Sequence, residues 1–241
     1  MSTSAKLFND LYGVGLGVYI KSKKTLVVAD SHLGYEDALS EQGIFVPRVN
    51  FALVKKEIQR MLKSVDVERV VFNGDLKHEF GEITKQEWRE TIELIEFIKK
   101  KADLVLIKGN HDTILKPIAN KVGLKLIDSF IVGDYLITHG HSLIPIPKKI
   151  KGIIIAHEHP AISLREKGTV EKFKCFLAGN FKRVPLLVIP SLLQVVEGTD
   201  VLKEDLLSPY LNQDISDFDV WIVEDKIYYF GKIKNLKSLR V

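Results

Sequence analysis

The hydrophobic positions of this chain follow two rhythms. Short apolar runs at Thr25–Ala29, Arg69–Phe72, Leu104–Ile107, Tyr135–Thr138 and Ile153–Ala156 read as strands. Val70-Val71-Phe72 and Ile153-Ile154-Ile155 are apolar at successive positions, as expected of central strands covered on both faces. Between the runs the spacing becomes helical. Val49–Leu62 carries apolar residues at positions 49, 53, 54, 58, 61 and 62, and Thr84–Lys100 places Trp88, Ile92, Ile95 and Ile98 on one face. Thr84 followed by Glu87 has the form of a capping box. Thr113–Lys121 is a weaker helix. After His159 strand-like runs predominate, at Glu171–Leu177, Leu186–Ile189, Val220–Val223 and Lys226–Phe230, with Glu224-Asp225 before Lys226 as a hairpin turn. A βαβαβ order followed by mostly β predicts an α/β fold. The expected form is a four-layer α/β/β/α sandwich with two mixed sheets in the middle and helices outside. No repeat, low-complexity stretch or Pro/Gly-rich linker divides the 241 residues, so 1–241 reads as a single domain.

Composition narrows the picture only a little. The net charge of +4, from 35 basic and 31 acidic residues, permits an anionic polymer as partner without arguing for one. Cys175 is the only cysteine, so no internal disulfide can form, which fits a reducing compartment. Its alternating context, Phe173 to Leu177, predicts a buried structural thiol. Met1–Asp10 lacks the apolar core of a signal peptide, and no apolar run reaches the ~18 residues of a membrane helix. The longest candidate, Val184–Val196, is interrupted by Pro185, Pro190 and Gln194. No membrane association and a cytoplasmic location are expected. Gly13-x-Gly15-x-Gly17 precedes a strand and has the wrong spacing for a dinucleotide loop, so these glycines read as loop or bulge positions.

The histidines change the picture most. There are seven, and all fall in five short segments that each follow a predicted strand: Asp30-Ser31-His32, Gly74-Asp75-Leu76-Lys77-His78, Gly109-Asn110-His111-Asp112, His139-Gly140-His141 and His157-Glu158-His159. The carboxyl ends of strands are where α/β sheets place ligands. Asp30 and His32 are two apart, so an extended backbone would point both to one side, and the same holds for His157 and His159. Singly, each Asp or Asn reads as a turn cap. Together, an Asp/His/Asn set without cysteine suits Mn²⁺, Fe²⁺ or Zn²⁺. Seven candidate ligands exceed what one ion with an open position needs, and suit two ions sharing a carboxylate.

In this order the five segments resemble the motifs of the calcineurin-like metallophosphoesterase superfamily. More narrowly, Asp30 to Glu36 and Gly74 to Phe80 resemble the archaeal SbcD-related phosphoesterases, relatives of a double-strand-break repair nuclease. The resemblance implies two divalent metal ions, most often Mn²⁺, with Fe²⁺, Zn²⁺ or Ni²⁺ as alternatives. It implies Asp30, His32 and His159 on the first ion, Asn110, His139 and His157 on the second, and Asp75 bridging. His111 would protonate the leaving oxygen or stabilise its charge, Asp112 would orient the His111 ring, and a metal-activated water would be the nucleophile. The implied activity is phosphodiester hydrolysis, with DNA or RNA as substrate and a link to DNA repair. A phosphodiesterase or phosphatase acting on a nucleotide or other metabolite is the alternative, and a non-catalytic scaffold the third. His78, His141 and Arg48 are candidate substrate contacts; for His78 a surface or supporting role weighs equally. Phe80 reads as core or as a stacking platform. Lys148, Lys149 and Lys151 read as a solvated loop or as phosphate contacts. The chain departs from the family pattern at Ala156, where a glycine is usual.

Overall fold

The computed structural model describes residues 4–79, 81, 83–166 and 169–237. Phe80 lies outside the described residues. The chain opens with a meander, β1 (Ser4–Phe8), β2 (Leu11–Val14) and β3 (Gly17–Ile20), that pairs antiparallel onto β4 (Thr25–Val28). Sequence spacing had assigned no element here, because Gly13, Gly15 and Gly17 interrupt the alternation. Gly13 lies within β2, and Gly15, at φ +54°, turns the β2–β3 hairpin.

From β4 onward the first sheet runs parallel through β5 (Arg69–Asn73), β6 (Asp103–Ile107) and the short β7 (Leu126–Ile127). Parallel neighbours need crossovers. These are α1 (Tyr35–Glu41) with α2 (Asn50–Ser64), then α3 (Lys85–Lys99), then α4 (Lys116–Lys121). The α3 start is as expected: Thr84 accepts from the Glu87 amide and Glu87 accepts from the Thr84 amide, both at 3.0 Å. The helix expected over Thr113–Lys121 begins only at Lys116, where Pro117 suits the first helical turn. On α2 the buried stripe is Val54, Ile58 and Met61, while Leu53, counted on that face by spacing, is 38% exposed.

The second sheet is built from β8 (Ser129–Val132), β9 (Tyr135–Thr138), β10 (Gly152–Ile155), β11 (Pro160–Glu166), β12 (Thr169–Phe181), β13 (Val184–Val188), β14 (Thr199–Asp200), β15 (Asp219–Val223) and β16 (Ile227–Lys232). Its centre, β9-β10-β13, is parallel, and its flanks are largely antiparallel. The expected hairpin at Glu224–Lys226 joins β15 to β16.

The two sheets pack face to face. Val71 of β5 and Ile154 of β10 are fully buried between them, whereas Val70 and Phe72 meet the helices and Ile153 and Ile155 meet the far side. The fold is thus the α/β sandwich with two mixed sheets. The outer layer over the second sheet is thin, made of the irregular segment 201–218 and α5 (Ile233–Lys237). Cys175, on β12, is fully buried beneath that layer, and the Ala156 methyl fits between the sheets.

Candidate metal centre

All five histidine-bearing segments lie at carboxyl ends of parallel strands: β4, β5, β6, β9 and β10. Face-to-face packing of the sheets brings the two sets of ends together. Backbone bonds then knit the loops: the Asp30 amide reaches the Gly74 carbonyl, the His32 amide the Asp75 carbonyl, and the Leu193 amide the Asp30 carbonyl. Two close approaches require glycine. A Cβ on Gly74 would sit 2.2 Å from Nδ1 of His139, and one on Gly109 would sit 2.0 Å from Oδ1 of Asp75.

The backbone of these segments is not extended. Asp30, His32, Asp75, His157 and His159 all have positive φ, between 42° and 68°. The expectation that two-residue spacing in an extended segment aligns the side chains is therefore corrected: left-handed turns aim them instead. His157 and His159 consequently turn to different groups. Non-glycine residues in this region are strained, and such strain gathers at functional sites.

Two donor groups that join both sheets result, beside a trio of His32, His78 and His111 at the ends of the first sheet. In the first, Nε2 of His159 lies 3.4 Å from Oδ2 of Asp30 and 3.3 Å from Nε2 of His32. In the second, Nε2 of His139 lies 3.2 Å from Oδ2 of Asp75 and 3.1 Å from Oδ1 of Asn110, with the His157 ring 5.0 Å from that of His139. Oδ2 of Asp75 also lies 3.7 Å from Nε2 of His32, so a single oxygen faces both groups. Its other oxygen accepts the His111 amide at 2.9 Å.

The electrostatics suit cations. Burial, with repulsion from His159, holds His32 well below the usual histidine range, and burial holds His157 near 4 and His159 near 3. These rings are neutral at pH 7 and present lone pairs. His139 differs: burial lowers it, but the carboxylates of Asp75 and Asp30 outweigh burial and push it up to about 9. Its Nδ1–H donates to the Asn73 carbonyl at 3.0 Å, which directs Nε2 at the donor group. Burial pushes Asp30 well above the usual carboxylate range, and its Oδ1 has no hydrogen-bond partner. Two buried carboxylates beside four convergent rings are costly without a positive charge between them. The donor set and the unpartnered Asp30 oxygen fit divalent ions.

The remaining sequence candidates fall in different places. The His111 ring stacks on His78, with centroids 5.2 Å apart, and stands edge-on to His32 at 4.7 Å. Nδ1 of His78 meets Nδ1 of His32 at 3.2 Å, so His78 supports a ring of the first group. Tyr35 stands edge-on to His78. His141 is exposed at the rim of the second group, its ring 5.3 Å from His139. Asp112 does not take the expected place on the His111 ring. Its two oxygens accept the amides of Leu76 at 3.1 Å and Gly109 at 2.9 Å, and Nδ1 of His111 meets the His78 carbonyl. An aspartate three residues after a glycine caps the tight turn, and this local geometry prevails over the ring contact. Arg48 is engaged with Asp37 at 2.6 Å. Lys148 and Lys149 are exposed, whereas Lys151 pairs with Asp134 at the opposite end of the sheet, where a parallel crossover must return before β10.

Several supporting residues were not singled out from the sequence. Asn50, at the start of α2, donates to the Ser31 carbonyl at 2.9 Å and accepts the Gln194 amide at 3.0 Å. Glu158, between the two histidines of its segment, turns away from them and accepts the amides of Leu207 and Ser208, each at 2.9 Å. Ser208 donates to the Gly140 carbonyl at 2.8 Å. The one signal for Glu158 was an acidic residue wedged between two ligand-type histidines.

Two mixed sheets with an Asp/His/Asn cluster at their joined carboxyl ends define a metallophosphoesterase. The chain belongs to the calcineurin-like phosphoesterase family, whose match spans residues 23–175. Among solved structures it is similar to the nuclease MPE of Pseudomonas putida, at 17% identity over 91% of this chain and 94% of that one, with a TM-score of 0.66. It also matches Vps29 of Chaetomium thermophilum, at 12% identity over 83% and 81% of the two chains, with a TM-score of 0.39. No curated protein matches the chain. No described helix is long and apolar enough to cross a membrane.

Proposed function

We propose that this chain is a two-metal phosphodiesterase acting on nucleic acid. The observation that carries the reading is Oδ2 of Asp75, which faces both donor groups at once. Asp30, His32 and His159 would hold one ion, Asn110, His139 and His157 the other, and Asp75 would bridge them. Bound there, two divalent ions, Mn²⁺ first among them, supply Lewis acidity and a water acidic enough to act as nucleophile near neutral pH.

The chain's own residues do the rest. The His111 amide holds one oxygen of Asp75 and leaves the other to the centre. Nδ1 of His111 is kept as a donor by the His78 carbonyl, so the mobile proton of its imidazolium is on Nε2. We assign Nε2 the delivery of that proton to the leaving oxygen. His78 would steady His32, and His141, exposed beside His139, would meet substrate. Asp112 shapes the turn that carries Asn110 and His111. The choice of nucleic acid rests on the motif resemblance and on fold-level likeness to a protein described as a nuclease. A place in DNA repair belongs to the same proposal.

Hydrolysis with Mn²⁺ tests it, on bis-p-nitrophenyl phosphate, p-nitrophenyl phosphate and labelled single- and double-stranded DNA and RNA. Cleavage of the diester and a nucleic acid is expected, with His111→Ala losing ~10²–10⁴-fold in turnover while keeping its metal. Activity on small esters alone would make the chain a metabolite enzyme. No turnover with two ions bound would make it a scaffold. A fully active His111→Ala would overturn the role of His111.

A further inference from the structure

Lys77 is fully buried, although lysine is seldom buried without a dedicated partner. Its main chain is pinned beside the first motif by a parallel bridge to Leu33, with the neighbouring His78 amide bonded to the Leu33 carbonyl at 2.9 Å. Its side chain crosses to the third motif. Nζ donates to the His111 carbonyl at 2.8 Å and to the Glu79 carbonyl. The amide of His111 is meanwhile held by Asp75, so both polar groups of that residue's main chain are gripped by side chains two positions apart. Asp75, Asp112 and Glu87 supply the negative charge around the ammonium.

We propose that Lys77 is a positioning residue that fixes the main chain of His111, and through it the place of the His111 ring above the donor groups. The inference rests on the reading of His111 as proton donor. An apolar side chain would fill the same volume, but it would leave two half-buried carbonyls without their lysine donor and free the loop to shift. Lys77 touches neither donor group, so its loss should spare metal binding and fall on the step that His111 serves. Misplacement of a catalytic group by about 1 Å can cost about 100-fold in rate.

The test is a double-mutant cycle between Lys77→Met and His111→Ala. It is read as kcat and KM on bis-p-nitrophenyl phosphate, with titration of Mn²⁺ beside it. Lys77→Met is expected to lower kcat about 10- to 100-fold with KM and metal affinity little changed. Added to His111→Ala, it should lower kcat by less than about twofold, because the group it positions is gone. A second readout needs no activity. In ring nitrogen spectra of the metal-free protein, the His111 signal, assigned by its loss in His111→Ala, should move in Lys77→Met while those of His139 and His157 stay. An equal loss in both backgrounds, or an unmoved His111 signal, overturns the proposal. If the wild type hydrolyses nothing, the functional reading fails alone and the spectra still decide Lys77. Should Lys77→Met fail to fold, Lys77→Gln keeps a donor of shorter reach and carries the same measurements.

Discussion

Each donor of the centre works through what its other atoms are doing. His139 is the clearest case. Nδ1–H is committed to the Asn73 carbonyl, and Nε2 faces Asp75 and Asn110. With its pKa pushed up to about 9, the metal-free ring carries a proton on Nε2 at pH 7. An ion bound at Nε2 must displace that proton. The sign follows: affinity for Mn²⁺ should rise with pH as His139 deprotonates and level off above about 9. Metal binding should release protons near neutral pH, from His139 and from Asp30, whose carboxyl burial holds well above its usual range. Calorimetric titration in two buffers of different ionisation enthalpy measures it, and heats that do not depend on the buffer would remove His139 from the ligand set. His32, His157 and His159, held neutral by burial, contribute no such release.

At the scale of elements, the site depends on loops whose ends are held by regular structure. Helix α3 follows directly on the Asp75–His78 loop, and its first turn is joined to that loop: Glu87 accepts the Glu79 amide through one oxygen and the Thr84 amide through the other. Thr84→Ala removes the reciprocal half of the capping box and should cost about 1 kcal/mol of stability, read from denaturant unfolding. A loss below about 0.3 kcal/mol would mean that Glu87 and tertiary packing hold the helix start without the cap. This capping box was legible in the sequence because it is a local pattern of hydrogen-bonding residues. Helix α1 was not, because its seven residues are too few for a period, and its buried Glu36 and Asp37 carry the signature of a surface. Glu36 is buried because it accepts the amides of Val49 and Asn50 at the start of α2, a contact that only the folded chain creates.

Across the whole molecule, the packing of the two sheets is what assembles the centre. The ends of β4, β5 and β6 come from one sheet and those of β9 and β10 from the other, so the groups around Asp30 and Asp75 each need both sheets, whereas His32, His78 and His111 meet at the ends of the first sheet alone. Asp30 and His159, in the first group, already come from different sheets. Ile154, fully buried between the sheets, is a sensitive point. Ile154→Ala should cost about 2–5 kcal/mol of unfolding free energy. It should also weaken Mn²⁺ binding, since the His157 segment begins two residues beyond β10. A destabilised variant with wild-type metal affinity would show that the loops hold the centre independently of sheet packing.

The sequence by itself determined the order of strands and helices in the first half and the apolar double face of β5 and β10. It also singled out the Asp, Asn and His residues that the fold brings together. These rest on local periodicity and on residue type, both of which are read along the chain. Tertiary structure alone decided which donors share a group, since that depends on left-handed backbone turns at Asp30, His32, Asp75, His157 and His159 and on the meeting of two sheets. It also decided that Asp112 serves a turn rather than the His111 ring, and that Lys77 and Glu158 hold loops far from them in sequence. Those outcomes are set by competition among many partners for a few buried hydrogen bonds, and only the packed chain fixes which partner is near enough to win.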